Sequence, residues 1–300
     1  QQSQSQSEKK MLQAGVACSD ITTDQANARI HDPLHAKALV LTYGDTVLVI
    51  IAMDVVAIGG ISDVGDDFLA NLRNRIEAEL DIPASNVLVS ATHTHPPGRL
   101  LCDDDALVNR TFGAVSRAAA SMVPVQVGVG VGHEKRIQIN RTLRLKDGTG
   151  QSIRQAHPCP WDDEVADLGP IDPDIGILRA DRLDGSPLAV LFNFACHPLI
   201  GVPGGAITAN YPGFAAQVIE QGIGHGAIAL FIQGAGGDVT EVLYKNVNTT
   251  RDSQPLGILL GLSTLQAWRE IHTGPAALGV ASETVQLPRR IDIPDRLKQL

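Results

Sequence analysis

The chain has 300 residues, 44% apolar and 19% charged, which allows one large or two ordinary domains with a sizeable core. A net charge of −9 argues against a nucleic-acid partner, since phosphate binding needs concentrated Lys and Arg. No apolar stretch approaches the roughly 20 residues of a bilayer-spanning helix.

Residues 1–10 are polar low complexity and are expected to be a disordered tail. Residues 11–300 are expected to form one domain, incomplete at its end, because Ile291–Leu300 breaks off in the opening of a helix after Pro294. Thr46 to Val56 is a nearly unbroken aliphatic run, the pattern of a strand buried on both faces. Phe68, Leu72, Ile76 and Leu80 then share one helical stripe, which Asp81-Ile82-Pro83 stops. Asn86 to Ala91 reads as the next strand, giving a βαβ unit with parallel neighbours. A second helix is predicted over Asp103 to Met122. Val125 to Val131 alternates with glycines, as a strand does where another backbone comes close. Gly148 to Pro170 reads as a polar loop. Asp174 to Asp181 and Pro187 to Ala195 flank an Asp-Gly hairpin turn at Leu183–Ser186. Tyr211 to Gln221 is a helix, Ala227 to Ile232 a strand, Gln254 to Ile271 a helix and Ala277 to Leu287 a last strand. There is no internal repeat. The fold class is α/β, a layered, mixed and mostly parallel sheet flanked by helices, with the site at the carboxyl ends of the strands.

Four apolar strands end in polar groups. Val47–Met53 delivers Asp54, Val87–Thr92 delivers His93 and His95, Leu188–Cys196 delivers His197, and Ala227–Ile232 delivers the Gln233–Asp238 loop. His93 and His95, two apart on an extended chain, face one crevice while Thr94 faces away. Imidazoles gathered at strand ends have one common use, holding a transition metal, most often zinc. His93 and His197 supply two ligands and a carboxylate is needed for a third. His31, His35, His133, His157, His225 and His272 lack such a setting. The four cysteines (Cys18, Cys102, Cys159, Cys196) show no CxxC pairing, so Cys-based metal binding is not expected. The glycines of Gln233–Asp238 could cradle an oxyanion or make a tight strand-to-helix turn. They are not a P-loop, because no Lys-Ser/Thr follows. Thr240 offers a hydroxyl that a metal or basic His could activate. Arg141 could anchor a substrate oxygen.

Together these segments resemble the neutral (non-lysosomal) ceramidase superfamily. The matching pieces, in the family's order, include Ala14–Thr22, Asp32–Leu41, Met53-Asp54, Ser90–His95, Asn140-Arg141, Asn193–Pro198, Asn210–Gly213 and Gly237–Thr240. The resemblance makes residues 11–300 a ceramidase-like catalytic domain. It places zinc on His93 and His197, and sets His95 and Arg141 beside the scissile amide. It also puts Thr240 where the family's Gly-Asp-x-Ser motif has Ser. A glutamate and a tyrosine that complete the family's metal shell have no match here, and Pro96–Arg99 replaces the usual Ser-Gly-Pro-Gly. The implied activity is zinc-dependent hydrolysis of an N-acyl amide, with N-acylsphingosine or a related small-molecule or lipid amide as substrate. The resemblance also suggests a secreted or periplasmic setting. The alternatives are a metal-dependent esterase or peptidase on another acyl compound, and a non-catalytic binding module that keeps the fold.

Overall fold

A computed structural model describes residues 10–60, 63–95, 101–152, 160–241 and 250–288. The chain first lays down strands β1 (Gln13–Asp20), β2 (His35–Tyr43) and β3 (Thr46–Met53). Helix α1 (Phe68–Leu80), strand β4 (Val87–Ala91) and helix α2 (Asp104–Ala120) follow. The second half begins with β5 (Val123–His133), passes through short strands β6 (Gln138–Asn140), β7 (Thr142–Leu145), β8 (Gly150–Ser152) and β9 (Val165–Leu168), and resumes with β10 (Asp174–Arg182) and β11 (Pro187–Phe194). It ends with α3 (Asn210–Ile223), β12 (Ile228–Gln233), β13 (Val239–Glu241) and α4 (Gln254–Arg269).

The main sheet has eight strands in the order β12-β11-β10-β5-β1-β2-β3-β4. Its two halves are joined weakly, since β1 and β5 pair only through Gln13–Pro124 and Ala14–Val123. The sheet therefore folds over on itself there. Leu39, Leu41, Ile50 and Ala52 of one half pack against Val125, Ala180, Ala189 and Leu230 of the other. Strand alternation sends the intervening residues outward. Ala36, Ala38, Val40, Val49 and Ile51 meet α1 and α2, while Val190, Phe192, Ala229 and Phe231 meet α3 and α4. The result is four layers, helices–sheet–sheet–helices, with apolar burial on both faces of each half-sheet.

The α/β class, the flanking helices and the βαβ unit are as the sequence predicts: β3 and β4 pair in parallel around α1. The parallel majority is not. Among the described strands of the main sheet only β3–β4 and β11–β12 run parallel, and every other neighbour is antiparallel. Apolar runs report burial on both faces, which two stacked, helix-covered sheets provide without parallel pairing. The stripe Phe68, Leu72, Ile76 is buried, and α1 stops at Asp81, whose φ of 55° is left-handed, just before Pro83. The Asp103 carboxylate caps α2, accepting from the Ala106 amide at 2.8 Å, with Asp104 and Asp105 in the positive first turn.

Strands β1, β2, β6, β7, β8, β9 and β13 went unpredicted. β1 contains Gly15, which weakens its strand pattern, yet a Cβ there would overlap the Ala118 carbonyl of α2. The expected loop over Gly148–Pro170 contains β8 and β9, while residues 153–159 lie outside the described chain. The last strand, Ala277–Leu287, is absent: this segment has no regular structure, and Val285 and Leu287 are exposed. Its approach touches the sheet at one bridge, Val127–Gly274, on the edge of β5 opposite β10.

Candidate metal centre

Parallel pairing continues past the end of β4, with the Thr92 amide donating to Met53 O at 2.8 Å and the His93 amide to Val55 O at 3.0 Å. At His93 the backbone then turns with φ 67°, the left-handed region that β-carbon sterics disfavour. His93 and His95 thus converge through a turn and not through the simple strand alternation expected. In the other half, the His197 amide donates to Val239 O at 2.9 Å, and His197 bridges Thr240.

These turns bring the three rings together. His93 Nε2 lies 2.8 Å from His197 Nε2 and 3.1 Å from His95 Nε2. They form the one group of three or more potential ligands among the described residues. His93 Nδ1 lies 2.5 Å from Val56 O, and His197 Nδ1 lies 3.0 Å from Gly236 O. A carbonyl only accepts, so both Nδ1 atoms carry the proton and, in the neutral rings, both Nε2 atoms present lone pairs to each other. Lone pairs facing at that distance repel unless a cation lies between them. Roughly 2.0–2.1 Å bonds at a tetrahedral ion hold nitrogens about 3.3 Å apart, so small ring movements would admit zinc. Burial drives the His95 pKa down to about 4, aided by His93, His197 and Arg141. His197 is likewise lowered to about 4 by burial, with His93 and Arg141 adding to it against the raising effect of the Gly236 bond. Neutral imidazoles are the form that binds a metal.

Arg141 follows β6, its amide donating to Asp238 O at 2.7 Å and its guanidinium to Gly237 O. It is close enough to lower both His95 and His197. Two amides of the glycine loop are already committed. The Gly234 and Gly236 amides donate within the protein, to Phe194 O and Gly234 O, while the carbonyls of Gly236 and Gly237 turn to His197 and Arg141. The loop orients side chains as an acceptor. Thr240 is fully buried, and its hydroxyl lies 3.2 Å from Glu241 Oε2. Asp54 is outside the cluster: its carboxylate accepts the His35 amide at 2.9 Å and lines a separate cavity with Lys37 and Glu220. Pro96–Arg99 lies outside the described residues.

Among the supporting groups Glu241 had no recognisable sequence signal, whereas Thr94, Asn210 and Tyr211 lie in segments that carry the resemblance. Glu241, fully buried, accepts the Leu199 amide at 2.9 Å and the Ile200 amide at 3.2 Å, and burial pushes its pKa up to about 7. Thr94 donates to Thr208 O at 3.1 Å, Asn210 Nδ2 to Pro198 O at 3.1 Å, and the buried Tyr211 hydroxyl to Cys196 O. These bonds lock the two histidine segments to each other and to the start of α3. A cleft of about 650 Å3, walled by Val56, Leu199, Ile200 and Val202, opens beside His95.

No family model and no curated protein matches the chain. Solved structures do. The neutral ceramidase from Pseudomonas aeruginosa superposes with a TM-score of 0.68 at 17% identity, over 88% of this chain and 45% of that one. A ceramidase complexed with C2 gives 0.68 at 17% identity, over 87% and 44%. The chain therefore shares the ceramidase fold, as the sequence resemblance implied, and spans less than half the length of those proteins.

Proposed function

We propose that this chain belongs to a zinc-dependent amidohydrolase that cleaves an N-acyl amide, with N-acylsphingosine or a related compound as substrate. The observation that carries the reading is the convergence of three imidazole Nε2 atoms, two of them with Nδ1 protons committed to Val56 O and Gly236 O. The shared ceramidase fold supports it. His93 and His197 would hold the ion through Nε2. Zinc in this place would polarise the amide carbonyl and acidify water, so that hydroxide adds to the acyl carbon and the C–N bond breaks. His95, neutral at pH 7, is placed to accept the proton released and pass it to the departing nitrogen. Arg141 anchors the carbonyl oxygen, and the apolar wall of Val56, Leu199, Ile200 and Val202 holds aliphatic substrate and excludes water. Thr240 acts through Glu241, since its hydroxyl is turned into the protein.

A second reading of one residue has its own support. His95 Nε2 lies 3.1 Å from His93 Nε2, which suits a third ligand as well as a base. The His95→Ala variant separates the two: a base leaves zinc affinity intact, a ligand lowers it together with activity.

The function is tested by incubating the full-length protein, zinc-loaded or chelated, with N-acylsphingosines, short esters and peptides, and following products by mass spectrometry. Amide cleavage that chelation abolishes and zinc restores is expected. Cleavage of esters or peptides alone would shift the assignment to the esterase or peptidase, and no zinc uptake with no cleavage to the binding module.

A further inference from the structure

The cleft beside His95 has an uneven charge pattern. Its walls are partly apolar, Arg251 lines it, and no Asp or Glu lines it among the described residues. Several cations of this acidic chain, with 33 Asp and Glu against 24 Lys and Arg, find carboxylates, while Arg73, Arg117 and Arg182 bond backbone carbonyls. Lys37 pairs with Glu220, Arg110 with Asp24, Arg144 with Asp167 and Arg179 with Asp181. Arg251 has no ion pair or hydrogen bond among the described residues. A guanidinium in an acid-free, partly apolar cleft is suited to a bidentate carboxylate, and its planar fork gives direction that a lysine lacks.

We propose that the preferred substrate is an N-acyl amide bearing a carboxylate, with the amide at His95, an aliphatic body along Val56, Leu199 and Ile200, and the carboxylate on Arg251. This deepens the hydrolase reading and rests on it for the position of the amide. The same chemistry has two sources: an N-acyl amino acid carries the carboxylate on the amine side, and a dicarboxylic monoamide carries it on the acyl side.

The test uses full-length, zinc-loaded protein and three ligands of matched length: N-acyl-leucine, its uncharged leucinamide counterpart, and an ω-carboxyacyl leucinamide. Binding is measured by calorimetry and cleavage by mass spectrometry. At least one carboxylate ligand is expected to bind roughly five- to tenfold more tightly than the uncharged one, and which one does identifies the carboxylate's side. Arg251→Gln is expected to reduce that ratio to about one, and Arg251→Lys, which keeps the charge, to retain part of it. Equal binding of charged and uncharged ligands, or a preference that survives Arg251→Gln, overturns the proposal. Arg251-dependent binding with no cleavage of any ligand would keep the carboxylate contact and overturn these amides as substrates, the hydrolase reading being decided by the N-acylsphingosine assay. Cleavage without preference would do the reverse.

Discussion

The two halves of the sandwich share one wiring although no repeat is visible in the sequence. The first runs β1-β2-β3-α1-β4-α2 and the second β5-β10-β11-α3-β12-α4, with the short strands β6 to β9 between β5 and β10. Each finishes in a parallel pair around a helix, and each supplies a ring from one strand of the pair and the carbonyl that fixes it from the other. In the first, His93 follows β4 and Val56 follows β3; in the second, His197 follows β11 and Gly236 follows β12. The order within the pair is reversed, and the support differs. His93 is held in a left-handed turn, whereas His197 sits on a segment anchored from below by Glu241. The first half also carries Asp54 at the end of β3, which burial leaves with a raised pKa and which stays outside the cluster. The scaffold thus offers equivalent strand ends, and two of the three clustered imidazoles have a carbonyl beside them.

That comparison can be broken at its two centres first. His93→Ala and His197→Ala are expected to weaken zinc binding comparably, by about 10²–10³, taking roughly 10–16 kcal/mol as shared over four ligands. Competition with a fluorescent chelator reads this, and one variant retaining wild-type affinity would show that the halves do not share the ion.

The next effect belongs to the second half alone. The Glu241 carboxyl has a folded pKa raised from 4.5 to about 7, so its contribution is full below about pH 4.5 and is lost as pH rises through 7. The full change is about 3 kcal/mol. Urea midpoints at pH 5 and pH 8 should show wild type losing stability relative to Glu241→Gln, and parallel behaviour would remove Glu241 as the titrating support. Gly236→Ala sharpens the carbonyl argument, because an added Cβ would lie 2.9 Å from the Cys196 amide nitrogen and 2.9 Å from Gln233 Nε2. The displaced carbonyl should lower zinc affinity by roughly 10–100-fold, as loss of an orienting partner does. Thr240→Val should be the mildest, costing about 1 kcal/mol of stability and less than about tenfold in kcat. A far larger loss in kcat with zinc retained would make that hydroxyl the nucleophile.

What could be read from residues alone followed physical periodicity. The aliphatic run of β3, the stripe of α1 and the Asp-Gly turn between β10 and β11 each carry a local signal that burial enforces, and all three lie where expected. His93 and His197 could be paired in advance because each ends an apolar strand. Sheet direction could not, since an apolar run reports two covered faces and not the orientation of its neighbour. β1 was obscured by Gly15, a residue chosen by the approach of α2, and Val285 and Leu287, which suggested a strand, are exposed and unpaired with the sheet. Glu241 and the carbonyls of Val56 and Gly236 were illegible for a plainer reason. Backbone acceptors look alike in any sequence, and a buried glutamate is distinguished only by the amides that surround it.

Whether imidazoles from both halves hold one ion is decided by zinc titration calorimetry on full-length wild type and the His93→Ala/His197→Ala double variant. One tight zinc site per chain is expected in the wild type and none in the double variant. Equal zinc uptake by the two proteins, or none by the wild type, would contradict it.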